Sequence, residues 1–195
     1  MSLREEKKAA TRRAISEAAA TLVLEDGIGA LTVARVSERA GVSPRTFHNY
    51  FADIDEALLE FLRAAFRKIA EQITALPHEL SAAEAMETVI VASLTENGFD
   101  LYSAPTLVFL SDQARAASSL PPTAETVREL TDPLVHSMSG RVSGATRFDA
   151  EVLLNAYGIA GGTAMKAYLA LPEPRDPADG RALVRRAFEV LRDVR

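Results

Sequence analysis

The sequence predicts an all-α protein, and three observations carry that expectation. Apolar residues recur at helical spacing along most of the chain, β-branched alternation over strand lengths is scarce, and the periodic segments are bounded by residues suited to helix ends. About nine helices are expected, three of them packed into roughly the first fifty residues.

The first is expected from about Arg4 to Glu25, with Ala10, Ala14, Ile15, Ala18, Ala19, Leu22 and Val23 as its apolar stripe and Gly27 ending it. Thr32 then stands at an N-cap position, Val33, Val36 and Ala40 share one face, and Gly41 closes a short second helix. Ser43 caps the third, with Pro44 at the first position, where no backbone N–H is needed. Asp53 with Glu56 resembles a capping box opening a long helix to about Leu76. "ALPHEL" breaks the pattern, Pro77 marks a seam, and Ser81 with Glu84 opens a helix to about Glu96. Helices are then expected from about Ala104 to Ser118, Pro122 to Met138 with a kink at Pro133, Arg147 to Leu171, and Pro177 to Val194.

Composition narrows the function classes. The 195 residues include no cysteine, so disulfides and thiolate metal sites are out of reach. His48, His78 and His136 are the only histidines and none are spaced as ligands on one helix turn, so neither metal nor cofactor is expected. There is no Ser/His/Asp grouping and no glycine-rich phosphate loop after a strand, so the chain is not expected to be an enzyme. No apolar run approaches the ~20 residues of a membrane span, and a cytoplasmic protein without membrane partners is expected. Net charge is -5, but Met1 to Phe51 holds eight Lys/Arg against six acids, so the acidic excess lies in the remainder.

The stretch "GVSPRTFHNYF" concentrates polar chemistry and aromatics. A short helix, a tight turn at Gly41 and a second short helix make a helix-turn-helix arrangement. On a wheel at about 100° per residue, Phe47 and Phe51 define a buried face, and Arg45 and Asn49 lie opposite with Thr46 and His48 on the flanks. Arginine and asparagine can make bidentate contacts to guanine and adenine edges, while Thr, His and Tyr groups suit phosphate oxygens. An exposed amphipathic helix of a protein that never touches DNA can carry the same polar face, so an all-helical interaction protein is the alternative reading.

The run "LTVARVSERAGVSPRTFHNYFADIDEALL", with "TRRAISEAA" and "LEDG" before it, resembles the N-terminal domain of the tetracycline-repressor (TetR) family of bacterial transcription regulators. The resemblance covers about the first sixty residues, and the rest of the chain is similar only in architecture. It implies a three-helix DNA-binding domain at residues 1–52 and a larger helical ligand-binding and dimerisation domain at residues 53–195. It further implies that Pro44, Arg45 and Asn49 approach bases, that Thr32, Thr46, His48 and Tyr50 touch the DNA backbone, and that Val36, Ala40, Val42, Phe47 and Phe51 hold the motif together. Where the family commonly carries a phosphate-binding lysine at the start of the fourth helix, this chain has Ile54, and Lys7, Lys8, Arg12 and Arg13 are the basic residues that compensate.

In the remainder, Ala156, Ala160, Gly161, Ala164 and Ala167 form a small-residue stripe that lets another helix approach closely. This helix and the last one, with Leu183, Val184, Ala187, Phe188 and Leu191, are expected to form a four-helix homodimer interface. Tyr102, Phe109, Gln113, Leu134, His136 and Met138 are the expected lining of an effector pocket. The resulting expectation is a ligand-responsive regulator, a repressor released from a palindromic double-stranded DNA operator by a small apolar or amphipathic effector.

Overall fold

The computed structural model describes residues 2–95, 98–117, 123–141 and 146–193. Nine α-helices occur among them: α1 Leu3–Asp26, α2 Val33–Arg39, α3 Pro44–His48, α4 Ile54–Ala75, α5 Ala82–Ala92, α6 Ala104–Ala117, α7 Ala124–Ser139, α8 Arg147–Leu169 and α9 Pro177–Asp193. A single 3-10 turn, Ile28–Ala30, follows α1. The strands among the described residues are two residues long each, β1 Leu94–Thr95 and β2 Gly98–Phe99, paired antiparallel with Leu94 opposite Phe99.

The expected caps close most of these helices. Thr32 accepts from the Arg35 N–H at 3.3 Å and Ser43 from the Thr46 N–H at 3.0 Å. The capping box at Asp53 is displaced by one residue: Asp53 accepts from the Glu56 N–H at 2.8 Å, but the Glu56 carboxylate takes the Ala52 N–H at 2.7 Å. Full capping boxes form at Ser2 with Glu5, Ser81 with Glu84, and Thr146 with Asp149. Hydrogen bonds led by the Ser2 backbone, the Ser81 hydroxyl and the Thr146 backbone hold those three carboxyls below their usual range.

One helix boundary needs correction. The fifth helix stops at Ala92 rather than near Glu96, which itself lies outside the described residues, as do the expected boundaries at Ser118, Pro122 and Val194. The Ser93 hydroxyl donates to the Ile90 carbonyl at 2.7 Å, and the Ser93 carbonyl accepts from the Asp100 N–H at 2.8 Å, so the chain turns back into the short hairpin. α7 runs from Ala124 to Ser139 with Pro133 inside it, where the kink is expected.

The chain packs as two compact units, one of Met1–Ala64 with Leu110–Pro121, the other of Ala65–Phe109 with Pro122–Arg195. The expected boundary after residue 52 falls inside the first unit, whose core already includes Ala57 of α4. That core gathers Ile15, Ala18, Ala19 and Leu22 of α1, Val36 of α2, and Phe47 and Phe51, with Val33, Ala40, Val42, Tyr50 and Ile54 packed around it.

In the second unit α8 packs against α9, where Tyr157 stacks on Phe188 with ring centroids 4.9 Å apart. The glycines of α8 serve contacts within the chain. A Cβ at Gly162 would lie 2.7 Å from a Val108 methyl of α6, and one at Gly161 would lie 2.7 Å from the tip of Ile90 of α5. Val108 is β-branched and stiff, so the closer constraint is at Gly162.

Arg141, just past α7, closes the far end of α4. Its guanidinium donates to the carbonyls of Ile73, Leu76 at 2.9 Å, Pro77 at 2.7 Å and Leu80 at 3.2 Å. Last-turn carbonyls have no partner within their own helix, and a cation there also suits the helix dipole.

Two stability predictions follow from this packing. Phe47 is fully buried, so Phe47→Ala is expected to cost about 3 to 5 kcal/mol in urea melts; a midpoint unchanged from the parent would mean that the aromatic does not anchor this core. Arg141→Met, which keeps the aliphatic stem and removes the donors, should cost roughly 2 to 3 kcal/mol. A calorimetric Tm within a degree or so of the parent would show that water replaces the guanidinium at no cost.

Candidate nucleic-acid interface

The first unit presents a short helix whose two faces differ completely. α3 has only five residues, too few to persist alone in water, so burial must hold it. Phe47 and Phe51 supply that burial, with ring centroids 5.8 Å apart, and the Phe51 N–H reaches the Phe47 carbonyl at 3.0 Å to extend the turn beyond the helix proper. Gly41, at φ +66°, makes the turn before it, a backbone region that glycine enters freely.

The polar set lies opposite. Pro44, Arg45, His48 and Asn49 are exposed, and Thr46 and Tyr50 are half-buried. The Thr46 hydroxyl shares a 2.8 Å hydrogen bond with that of Ser43, and Tyr50 packs against the core. His48 meets the Phe47 ring edge-on at 5.3 Å. Thr32 stands exposed at the head of α2. Six of the seven expected DNA contacts are therefore gathered between Pro44 and Tyr50, with Thr32 at the neighbouring helix start.

Charge is sorted in the same unit. Glu25 and Asp26 sit at the C-terminal end of α1, where the helix dipole disfavours acids. Arg39 binds Glu25 through two nitrogens at 2.6 and 2.8 Å, and Arg35 binds Asp26 at 2.6 Å. The arginines of α2 are thus engaged within the protein. Among the described residues no hydrogen bond or ion pair engages the Arg45 guanidinium, which is available to an outside anion or base edge.

The basic residues expected to compensate for Ile54 separate into two kinds. Lys7, Lys8 and Arg13 are exposed along α1. Arg12 is turned inward: it donates to the Tyr50 carbonyl at 2.7 Å and to Glu60 at 3.1 Å, lies 3.6 Å from Glu56, and places its guanidinium carbon 4.3 Å from the Phe51 ring centroid. Sequence reasoning missed this internal role. The signal for it was the pair of acids at Glu56 and Glu60, one turn apart and facing a basic segment. Ile54 packs on the core of the unit, which accounts for an apolar residue there.

The expected effector contacts are dispersed. Leu134 and Met138 are buried on α7, Tyr102 and Phe109 are half-buried, and His136 is exposed. The Lys68 ammonium lies 4.4 Å from the centre of the Tyr102 ring. Gln113 belongs to the first unit and the other five residues to the second. Among the described residues no group of three or more acidic or histidine side chains is placed to hold a metal ion, and no helix is long and apolar enough to cross a membrane.

Residues 15–61 match the family model described as bacterial regulatory proteins, tetR family. The HTH-type transcriptional regulator BetI of Brucella canis is 31% identical over 99 residues, a match covering 43% of this chain and 50% of that protein. The chain thus spans about half the length of the curated relatives it matches. The fold is similar to that of a transcriptional regulator from Rhodococcus sp. Rha1, with a TM-score of 0.65 and 18% identity over 92% of this chain and 94% of that one. It is also similar to FadR from Bacillus subtilis in complex with stearoyl-CoA, with a TM-score of 0.60 and 18% identity over 92% and 96% of the two chains. The matched segment runs from the middle of α1 through the turn at Gly41 and the aromatic anchors into α4, and on that segment the chain is similar to the tetR family of bacterial regulatory proteins.

Proposed function

We propose that this protein is a sequence-specific, ligand-responsive transcriptional repressor that binds a palindromic operator as a homodimer. The observation that carries the reading is the exposed Arg45, unpaired among the described residues, beside Asn49 on a helix anchored from behind by Phe47 and Phe51. Residues 1–52 would read DNA, with Arg45 and Asn49 at base edges, Pro44 close to the bases, and Thr32, Thr46, His48 and Tyr50 at the backbone. Residues 53–195 would hold the effector and the dimer contact. The stearoyl-CoA bound by the B. subtilis neighbour supports an amphipathic effector, and the buried or half-buried Tyr102, Phe109, Leu134 and Met138 are its proposed contacts. Such an effector releases operator only if it binds the DNA-incompetent state better.

The dimer contact is proposed on α8 and α9. Phe148, Val152 and Ile159 are 70%, 49% and 65% exposed and fall within about 40° of one another on the wheel of α8, while Val190 of α9 is 45% exposed. Large apolar groups aligned on one face of adjacent helices support a partner of the same kind.

Fluorescence anisotropy on the DNA upstream of the protein's own gene tests the reading. Binding that survives unrelated competitor and weakens steeply with salt is expected, and stearoyl-CoA is the first effector to titrate. Arg45→Ala should lower operator affinity by about 1 to 3 kcal/mol with folding intact; equal affinity would remove Arg45 from the reading surface. Binding to no DNA at low salt would favour the interaction-protein alternative. For the dimer, Ile159→Asp should convert the protein to monomer in light scattering without loss of helix content, and a dimer that persists would place the interface elsewhere.

A further inference from the structure

We propose that Arg12 is a positioning residue for DNA reading, holding the recognition helix α3 in register from behind without touching DNA; this rests on the function proposed above. The segment from Asn49 to Asp53 joins α3 to α4, and the N–H groups of Asn49, Tyr50 and Phe51 bond back to carbonyls of α3. Its Tyr50 carbonyl accepts from Arg12 Nη1 at 2.7 Å, and its Ala52 N–H donates to Glu56 at 2.7 Å. The same guanidinium reaches Glu60 through Nη2 at 3.1 Å and lies over the Phe51 ring. One side chain of α1 therefore ties the exit of α3, its aromatic anchor and the first turns of α4.

The chemistry requires arginine. A planar fork can donate to a carbonyl with one nitrogen and to a carboxylate with another while its face rests on an aromatic ring. A lysine ammonium, a compact charge, cannot satisfy all three in that geometry. Arg12 is also the basic residue of the α1 segment that is half-buried and paired, where Lys7, Lys8 and Arg13 are exposed, so its charge is the one already answered inside the protein.

Positioning and direct phosphate contact predict opposite results. Arg12→Lys, Arg12→Met and Glu60→Gln are compared with the parent by anisotropy on operator and on unrelated duplex across a salt series, with hydrogen exchange at the Asn49 to Ala52 amides. The expected result is a ratio of specific to non-specific affinity lowered about tenfold, an unchanged salt slope, and faster exchange at those amides. Glu60→Gln is the decisive variant, because removing an acid near DNA should strengthen binding to every sequence if electrostatics alone mattered. It keeps the Arg12 charge and serves equally if Arg12→Met fails to fold. A salt slope reduced by about one with uniform weakening in Arg12→Lys or Arg12→Met would make Arg12 a phosphate contact and overturn the proposal. So would tighter binding of Glu60→Gln to all DNA. A parent that does not discriminate its operator overturns the DNA-reading function and Arg12's role with it, whereas a discriminating parent whose variants keep its ratio and amide protection overturns Arg12 alone.

Discussion

The reading surface depends on the burial of Phe47 and Phe51. A five-residue helix gains too few hydrogen bonds to offset the entropy of forming it, so α3 exists because two aromatic side chains on one face are removed from water against α1 and α2. Removing those rings from water costs the polar face nothing, since Arg45, His48 and Asn49 point the other way. Hydrophobic burial fixes where the helix lies, and the groups that would meet a partner remain solvated. Ala18 and Ala19 of α1 share this small core with both rings, and their short side chains leave room for them.

Electrostatics in the first unit follow from the same economy of space. An acidic pair at the end of α1 would be unfavourable with the dipole, and the arginines of α2 answer it at 2.6 Å. These pairs are largely solvated and contribute modestly to stability. Their larger effect is on distribution, because they neutralise Arg35 and Arg39 and leave Arg4, Lys7, Lys8, Arg13 and Arg45 as the cations of residues 1–51 without an ion pair among the described residues. The slight basic excess of the first fifty or so residues is thus concentrated by pairing rather than by composition.

Much of this was legible in the sequence because it is local. Caps at Thr32, Ser43 and Ser81, the glycines at 27 and 41 and the 3.6-residue period depend on residues a few positions apart, and all appear in the structure. What escaped depends on distant partners. Arg12 meets Tyr50 and Glu60 across 38 and 48 residues, and Arg141 meets Leu80 and Ile73 across 61 and 68. Nothing within either local segment specifies those encounters. The early end of α5 is an intermediate case: Ser93 offered a side-chain alternative to the helix, but the pairing of Leu94 with Phe99 is what makes it prevail. Ile54 likewise looked anomalous only against the family pattern, and its packing on the core gives it an ordinary reason.

The same distinction between local pattern and distant partner decides how α8 is understood. Its small residues look like a contact stripe for any neighbouring helix, and periodicity cannot say whether that neighbour belongs to the same chain. The positions a Cβ would occupy answer it, since at Gly161 and Gly162 they fall on Ile90 and Val108 of this chain. Around Gly161 and Gly162 the small-residue face is therefore occupied within the chain. A second chain has open to it the neighbouring face, where Phe148 and Ile159 are largely in water. Both side chains are large and apolar, and leaving them solvated forgoes most of the roughly 1.5 to 3 kcal/mol that full burial of each would contribute. An association through α8 would accordingly be driven by large side chains meeting across a symmetric axis, while the glycines set the spacing within each subunit against which that face is presented.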